Sequence, residues 1–178
     1  MPTHISKADR PCPSCFFFRA IIKACISSPA CAPLCEGAHY ALCDLRAANV
    51  QIGRQVLVNG ATGAIGSAAV QLTRHLGATV TSVADTPNLE LVRNLGATTV
   101  IHRLKEDFTQ SNYRFDLVFD AVGKSSFGRC KHLLKPKGIF ISTELGPWLQ
   151  NPLLAMLTPL LGGKRVLFPV PKITQADA

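Results

Sequence analysis

The sequence predicts an α/β fold, a doubly wound parallel sheet of about six strands with helices on both faces. Three observations predict it. From residue 36 onward, short apolar segments alternate with helix-like ones. The strand-like segments are apolar nearly throughout, as strands buried on both faces of a parallel sheet are. Glycines stand where the helical patterns stop, at Gly77 and Gly96, the position that accepts a left-handed residue after a helix. Alternating strand and helix then implies right-handed crossovers.

Ala38 to Asn49 reads as a helix, with Tyr40, Leu42 or Cys43, Leu45 and Ala47 or Ala48 as its apolar face. Gln55 to Asn59 is a short apolar strand, followed by Gly60-Ala61-Thr62-Gly63-Ala64-Ile65-Gly66. A helix fits Ala64 to Leu76. Then come a strand at Thr79 to Ala84, a helix from Asn88 to Leu95 and a strand at Thr98 to His102. Phe115 to Val122 is a strand with Gly123 at its end, and Ser125 to Leu134 a helix halted before Pro136. Gly138 to Thr143 and Arg165 to Phe168 are the last two strands.

The 178 residues suit one domain, which can bury roughly 70% of its unfolded surface. With 47% hydrophobic and 17% charged residues, the chain is neither disordered nor fibrous. The longest uncharged apolar stretch, Leu145 to Gly163, is broken by Pro147, Gln150, Asn151, Pro152 and Pro159, so no membrane span is expected. The net charge is +8, and residues 124–172 hold eight basic side chains against the single acid Glu144. A basic skew suits nucleic acid, membrane surface or phosphorylated ligands, yet Lys131, Lys135 and Lys137 have no interleaved aromatics to stack bases. RNA binding is therefore kept only as an outside alternative.

Composition and pattern divide the chain into an irregular Cys/Pro-rich extension (1–35), an orderly α/β domain (36–172) and a short tail (173–178). Six of the seven cysteines fall at or before Cys43, and the odd count argues against a disulfide framework. Cys12-Pro13-Ser14-Cys15, followed by Cys31, Cys35 and His39, has the spacing of half or more of a zinc site; an irregular tail with free thiols is the preferred reading. Arg19 and Lys23 interrupt any signal-peptide core. A mitochondrial presequence fits the basic residues, but Asp9 and the prolines weaken it, which leaves the cytoplasm as the default.

The segment that carries chemistry is the first strand-to-helix turn. Ala61-x-Gly63-x-x-Gly66 lies between a strand and an immediate helix, the setting of the dinucleotide fingerprint, which makes the sheet Rossmann-type. Gly63 lets the backbone approach a pyrophosphate, Gly66 lets the helix pack on the strand, and the helix N-terminus offers N–H groups to phosphates. Thr62, Gly63, Ala64, Ile65 and Gly66 are thus the expected phosphate-binding residues; a tight turn without ligand is the bland alternative. Asp85 stands 19 residues after Gly66, where an acid reads the adenosine ribose. Asp85-Thr86-Pro87-Asn88 is equally a helix N-cap sequence, so NAD and NADP both stay open.

Residues from about Glu36 to Lys172 resemble the cofactor domain of the medium-chain dehydrogenase/reductase superfamily, in its zinc-independent, quinone oxidoreductase-like branch. The resemblance rests on Val56 to Gly66, Asn88 to Arg93 with Leu95-Gly96-Ala97, Asp116 to Gly123, and Leu134-Lys135-Pro136-Lys137-Gly138. It implies an NAD(P)H-dependent oxidoreductase that reduces a carbonyl, enone or quinone, or oxidises an alcohol. It further implies that Ala121, Val122 and Gly123 lie against the cofactor and that Ser142 and Thr143 approach the nicotinamide. Such enzymes begin with a GroES-like catalytic domain, for which this chain has about 35 unrelated residues; a truncated form is the expectation. In the superfamily's alignment the ribose acid falls on Ala84, one place before Asp85.

No catalytic zinc set is expected, because His4, His39, His75, His102 and His132 are scattered. Ser125 and Ser126 read as helix caps and Cys130 as a small hydrophobe beside Phe127 and Leu134. No general acid or base stands out. The alternative from another class is a non-catalytic dinucleotide-binding or interaction module presenting Leu153, Leu154, Met156, Leu157, Leu160 and Leu161, although core packing of that run is preferred. The resemblance also implies a homodimer through the last strand.

Overall fold

The computed structural model describes residues 32–146 and 149–169. The expectations for Cys12, Cys15, Cys31 and the segment before residue 32 lie outside them. Residues 36–171 form one compact unit.

Helix α1 (Ala32–Ala47) leads into β1 (Gln55–Asn59), α2 (Ala64–His75), β2 (Thr79–Ala84), α3 (Leu89–Asn94), β3 (Thr99–His102), β4 (Phe115–Asp120), α4 (Phe127–Cys130), β5 (Leu134–Ser142), α5 (Gln150–Leu157) and β6 (Arg165–Leu167). The six strands form one sheet in the order β3-β2-β1-β4-β5-β6, every neighbouring pair parallel. This is the doubly wound order, with its reversal between β1 and β4.

Both faces are covered. Val56 and Val58 of β1, Leu117 and Phe119 of β4, and Ile139 and Ile141 of β5 pack with α1, α2 and α3 on one side. Leu57, Val118, Phe140 and Val166 pack with Phe127, Cys130 and Leu133 on the other. Adjacent strand residues therefore point into different cores, and this is why the strands carry no polar face. Burying each Val or Leu contributes about 1.5–3 kcal/mol.

Several boundaries differ from the sequence reading, each for a local reason. α1 starts at Ala32, with Pro33 in its first turn, where a missing N–H costs no intrahelical bond. Its buried face is Ala41, Leu42 and Leu45, joined by Asp44 and, in the turn that follows, Ala48. β4 stops at Asp120 because the Asp120 carboxylate accepts from the Val122 and Ser125 N–H groups and turns the chain off the ladder. The helix expected over Ser125 to Leu134 is a single turn of α4 plus a 3-10 turn at Lys131–Leu133. Leu134 instead opens β5: it pairs with Phe115, and the register then shifts before Leu117 meets Ile139. The intervening Lys135, Pro136 and Lys137 bulge outward, Lys137 at φ 63°.

The run after Leu149 forms a helix that the sequence reading does not include. It is also less packed than expected: Leu154 and Ala155 lean on the core, whereas Leu153, Met156 and Leu157 are exposed. At the sheet edge, the Val166 N–H of β6 donates to Thr158 Oγ1 at 2.9 Å. No helix among the described residues is long and apolar enough to cross a membrane.

Candidate functional site

The carboxyl ends of the central strands lie level. Asn59 of β1 is in register with Val83 of β2 and Asp120 of β4, and Asp120 with Ser142 of β5. The loops that leave those residues therefore meet at one edge of the sheet, the crevice where open α/β sheets take ligands. The structure brings together there the turn Thr62–Gly66, the loop Ala121–Gly123, Ser142 with Thr143, and Asp85 with Thr86.

The turn after β1 is shaped by close contacts. Gly60 has φ 82°, and a Cβ on it would collide with the Val122 side chain, so only glycine serves there. Gly66 presses α2 against the turn: a Cβ on it would lie 2.8 Å from Gly60 C and nearer still to Gly60 O. Thr62, Gly63 and Ala64 are exposed, Ile65 is half-buried and Gly66 is buried. Gly63 is the N-cap of α2, makes no side-chain cap, and no acid occupies the first turn. The first N–H groups of α2 have no intrahelical acceptor and carry the positive end of the helix dipole. A helix terminus of this kind suits an anion, and the crest of the turn is exposed.

Beneath the turn lies a polar network that sequence reasoning missed. Asn59 Nδ2 donates to Asp120 Oδ1 at 3.0 Å. Val122 N donates to Asp120 Oδ1 at 3.3 Å and Ser125 N to Oδ2 at 2.8 Å. The Ala121 N–H donates to Asn59 O, and the Thr143 N–H to Asp120 O. The Asp120 carboxylate thus ties the end of β1 to the loop after β4, and its backbone carbonyl takes the start of the loop after β5. Burial pushes the Asp120 carboxyl above its usual range, an effect that the Ser125, Val122, Asn59 and Lys124 donors partly offset. A polar pair inside otherwise apolar strands is the signal that could have found it.

On the far side, Glu144 N donates to Ser142 Oγ at 3.3 Å. Gly123 (φ 62°) packs so closely under Glu144 that a Cβ there would fall 2.6 Å from Glu144 Cβ. Asn151 of α5 donates from Nδ2 to Glu144 O at 2.7 Å, and its backbone N–H donates to Leu145 O. The loop after β5 is therefore held from both ends.

At the end of β2, Asp85 occupies the N-cap position of a 3-10 turn (Thr86–Asn88) but makes no cap bond. Its carboxylate is taken by Arg103, with Nε at 2.6 Å and an NH2 group at 2.9 Å. The Arg103 hydrogen bond holds the Asp85 carboxyl below its usual range. Ser126 caps α4, accepting from Arg129 N. Among basic side chains of the C-terminal third, Lys135 pairs with Asp116 and Arg129 with Asp107.

Among the described residues no group of three or more His, Cys, Asp and Glu stands close enough to hold a metal; His39 Nε2 and Cys43 Sγ lie 3.7 Å apart. The glycine-built cradle, by contrast, fits a dinucleotide.

A family model described as zinc-binding dehydrogenase matches residues 64–167. The chain belongs to the zinc-binding dehydrogenase family. The quinone oxidoreductase from Coxiella burnetii superposes with a TM-score of 0.71 at 26% identity, covering 83% of this chain and 45% of that one. The 2-methylene-furan-3-one reductase of Solanum lycopersicum is 39% identical over 82 residues, 45% of this chain and 21% of the relative. The chloroplastic NADPH-dependent alkenal/one oxidoreductase of Arabidopsis thaliana is 42% identical over 73 residues, 40% of this chain and 19% of the relative. The chain thus spans about a fifth of these curated relatives and under half of the solved one. It matches the cofactor-binding half of the medium-chain dehydrogenase/reductase fold.

Proposed function

We propose that the chain holds NAD(P)(H) across the β1–β4 reversal for hydride transfer to or from a carbonyl, enone, quinone or alcohol. Thr62, Gly63, Ala64, Ile65 and Gly66 take the pyrophosphate through backbone N–H groups. Asp85 and Thr86 border the adenosine ribose. Ala121, Val122 and Gly123 lie along the cofactor, and Ser142 with Thr143 flanks the nicotinamide. When bound, the cofactor supplies the hydride; the protein orients it by the buried Asp120 network and keeps the loops from relaxing away from it.

The observation that carries this reading is the uncapped, acid-free N-terminus of α2, pressed by Gly66 onto the turn at the strand-order reversal. The substrate class is supported by the activities of the relatives, a 2-methylene-furan-3-one reductase and an alkenal/one oxidoreductase. Calorimetric titration of the full chain with NADPH and with NADH tests binding, and enone-dependent oxidation of NADPH tests turnover. Saturable binding of either nucleotide is expected. Binding of neither sinks the proposal, and binding without turnover leaves a non-catalytic dinucleotide module.

A further inference from the structure

The acid at the end of β2 is already engaged, and its partner is itself a specificity element. Asp85 extends past β2, beside the glycine turn, where the Ala61 N–H donates to Val83 O at 3.4 Å. Arg103 extends past β3 in the same way: His102 is in register with Ala84, and the Arg103 N–H donates to Ala84 O at 3.0 Å. The Arg103 side chain then reaches back to grip both Asp85 oxygens in a two-pronged pair.

A second tie fixes the same corner. Leu104 N donates to His102 Nδ1 at 3.2 Å, so that nitrogen is the acceptor, and Nε2 carries its hydrogen to Thr86 Oγ1 at 2.5 Å. His102 is buried. The ends of β2 and β3 are thus cross-braced, and Arg103 is anchored at its backbone while its side chain remains more than half exposed.

An unpaired acid in this place would accept from the ribose hydroxyls and repel a phosphate on them. A carboxylate held by a guanidinium does neither at full strength. The guanidinium fork matches a phosphate as well as a carboxylate, so Arg103 has two possible anions within reach of one anchored position.

We propose that Arg103 selects the 2′-phosphorylated dinucleotide, and that Asp85 holds Arg103 in the empty protein as an internal competitor of that phosphate. The proposal rests on the dinucleotide reading above and adds the cofactor's chemical class. Asp85 then opposes NADPH binding and does not promote it, and the pair sets the preference between the two cofactors by exchange of anions.

The test is calorimetric titration of the full chain, its Arg103→Ala and Arg103→Lys variants and its Asp85→Asn variant with NADPH, NADH and adenosine 2′,5′-bisphosphate. The pair lies at the surface, so the variants keep the fold, checked by thermal melting. Arg103→Ala is expected to lose about tenfold or more in affinity for NADPH and the bisphosphate, the scale of one charge-assisted pair. NADH should stay within about twofold and Arg103→Lys should fall between. Asp85→Asn is expected to bind NADPH several-fold tighter. Equal losses for NADPH and NADH in Arg103→Ala overturn the proposal, as does an Asp85→Asn variant that loses NADH without gaining NADPH. A parent chain that binds neither dinucleotide overturns the dinucleotide reading first and this inference with it. A parent that binds both, with a ratio untouched by Arg103→Ala, overturns this inference alone.

Discussion

Gly66 and Gly60 touch: the Cα of Gly66 sits so close to the Gly60 carbonyl that a methyl group added there has no room, whereas at Gly63 the nearest atom to such a methyl would be Gly60 O at 3.7 Å. The two glycines of one turn therefore answer to different demands. Gly66 is required by the packing of α2 on the turn. Gly63, at φ −75° and ψ 169°, meets no demand of the empty fold, since any residue adopts that conformation. Its smallness keeps the crest of the turn open to whatever approaches from outside.

This separates stability from binding. Gly66→Ala should destabilise by about 1–3 kcal/mol through overpacking, a fall in Tm of several degrees. Gly63→Asp should leave Tm unchanged or slightly raised, because aspartate is a good N-cap and its charge suits the helix terminus. The same carboxylate should cost at least about a hundredfold in NADPH affinity, since it occupies and repels the phosphate position. Calorimetric melting and titration read the two effects. A Gly63→Asp chain that binds NADPH like its parent would remove the phosphate from this turn.

Asp120 argues a second prediction. Its two oxygens serve Asn59, Val122 and Ser125, and it is fully buried. Asp120→Ala strands those donors, at a cost of about 2–4 kcal/mol, or roughly 4–16 °C in Tm for a chain of this size. Asp120→Asn keeps one acceptor and turns an amide toward the other N–H, so it should recover only part of the loss. Hydrogen exchange should show the Val122 and Ser125 amides losing protection before those of β1. Uniform loss of protection across the sheet would mean that the carboxylate does not hold the loops locally.

How far the sequence tells this story depends on which force decides each feature. β1 and β2 lie where the apolar runs place them, because hydrophobic burial alone sets their limits. The end of β4 and the start of β5 do not, because a buried carboxylate and a bulge around Pro136 decide them, and neither leaves a periodic trace. The crevice edge is legible through Gly60 and Gly66, whose spacing mirrors a local backbone and packing need, with the unconstrained Gly63 between them. Arg103 is not legible, since it acts on Asp85, a partner distant along the chain, and Asn59 shows only as a polar residue closing an apolar strand, with nothing in the pattern to name Asp120 as its partner.

Asp44 gives stability a pH dependence. It is buried on α1 beside Leu45 and Ala41, and burial pushes its carboxyl from 3.8 up to about 7. The folded state thus prefers the proton more than the unfolded chain does. The contribution of Asp44 is complete below about pH 4 and is lost as the pH rises through about 7. At about 1.4 kcal/mol per pKa unit, the ceiling on that loss is about 4 kcal/mol. Asp44→Asn replaces the acid by a neutral amide of the same shape. Its Tm should match the parent near pH 4 and exceed it by several degrees at pH 8. Parallel Tm–pH curves would show that Asp44 ionises in the fold as it does in water.

Cys130 should be chemically silent. It is fully buried, and burial pushes its thiol up to about 11, the Ser125 hydroxyl at 3.0 Å offsetting only part of this. At pH 8 the thiolate, which is the reactive form, is depleted roughly a hundredfold relative to an ordinary cysteine by ionisation alone, before any barrier to access. Iodoacetamide followed by peptide mass spectrometry should leave Cys130 unmodified in the native chain and label it fully in urea. Because reaction requires opening of the packing around Phe127 and Leu133, the native labelling rate should rise with urea below the unfolding midpoint. A Cys130 that reacts natively at the rate of a small free thiol would place it outside the core, and the packing of α4 on β5 would have to be redrawn.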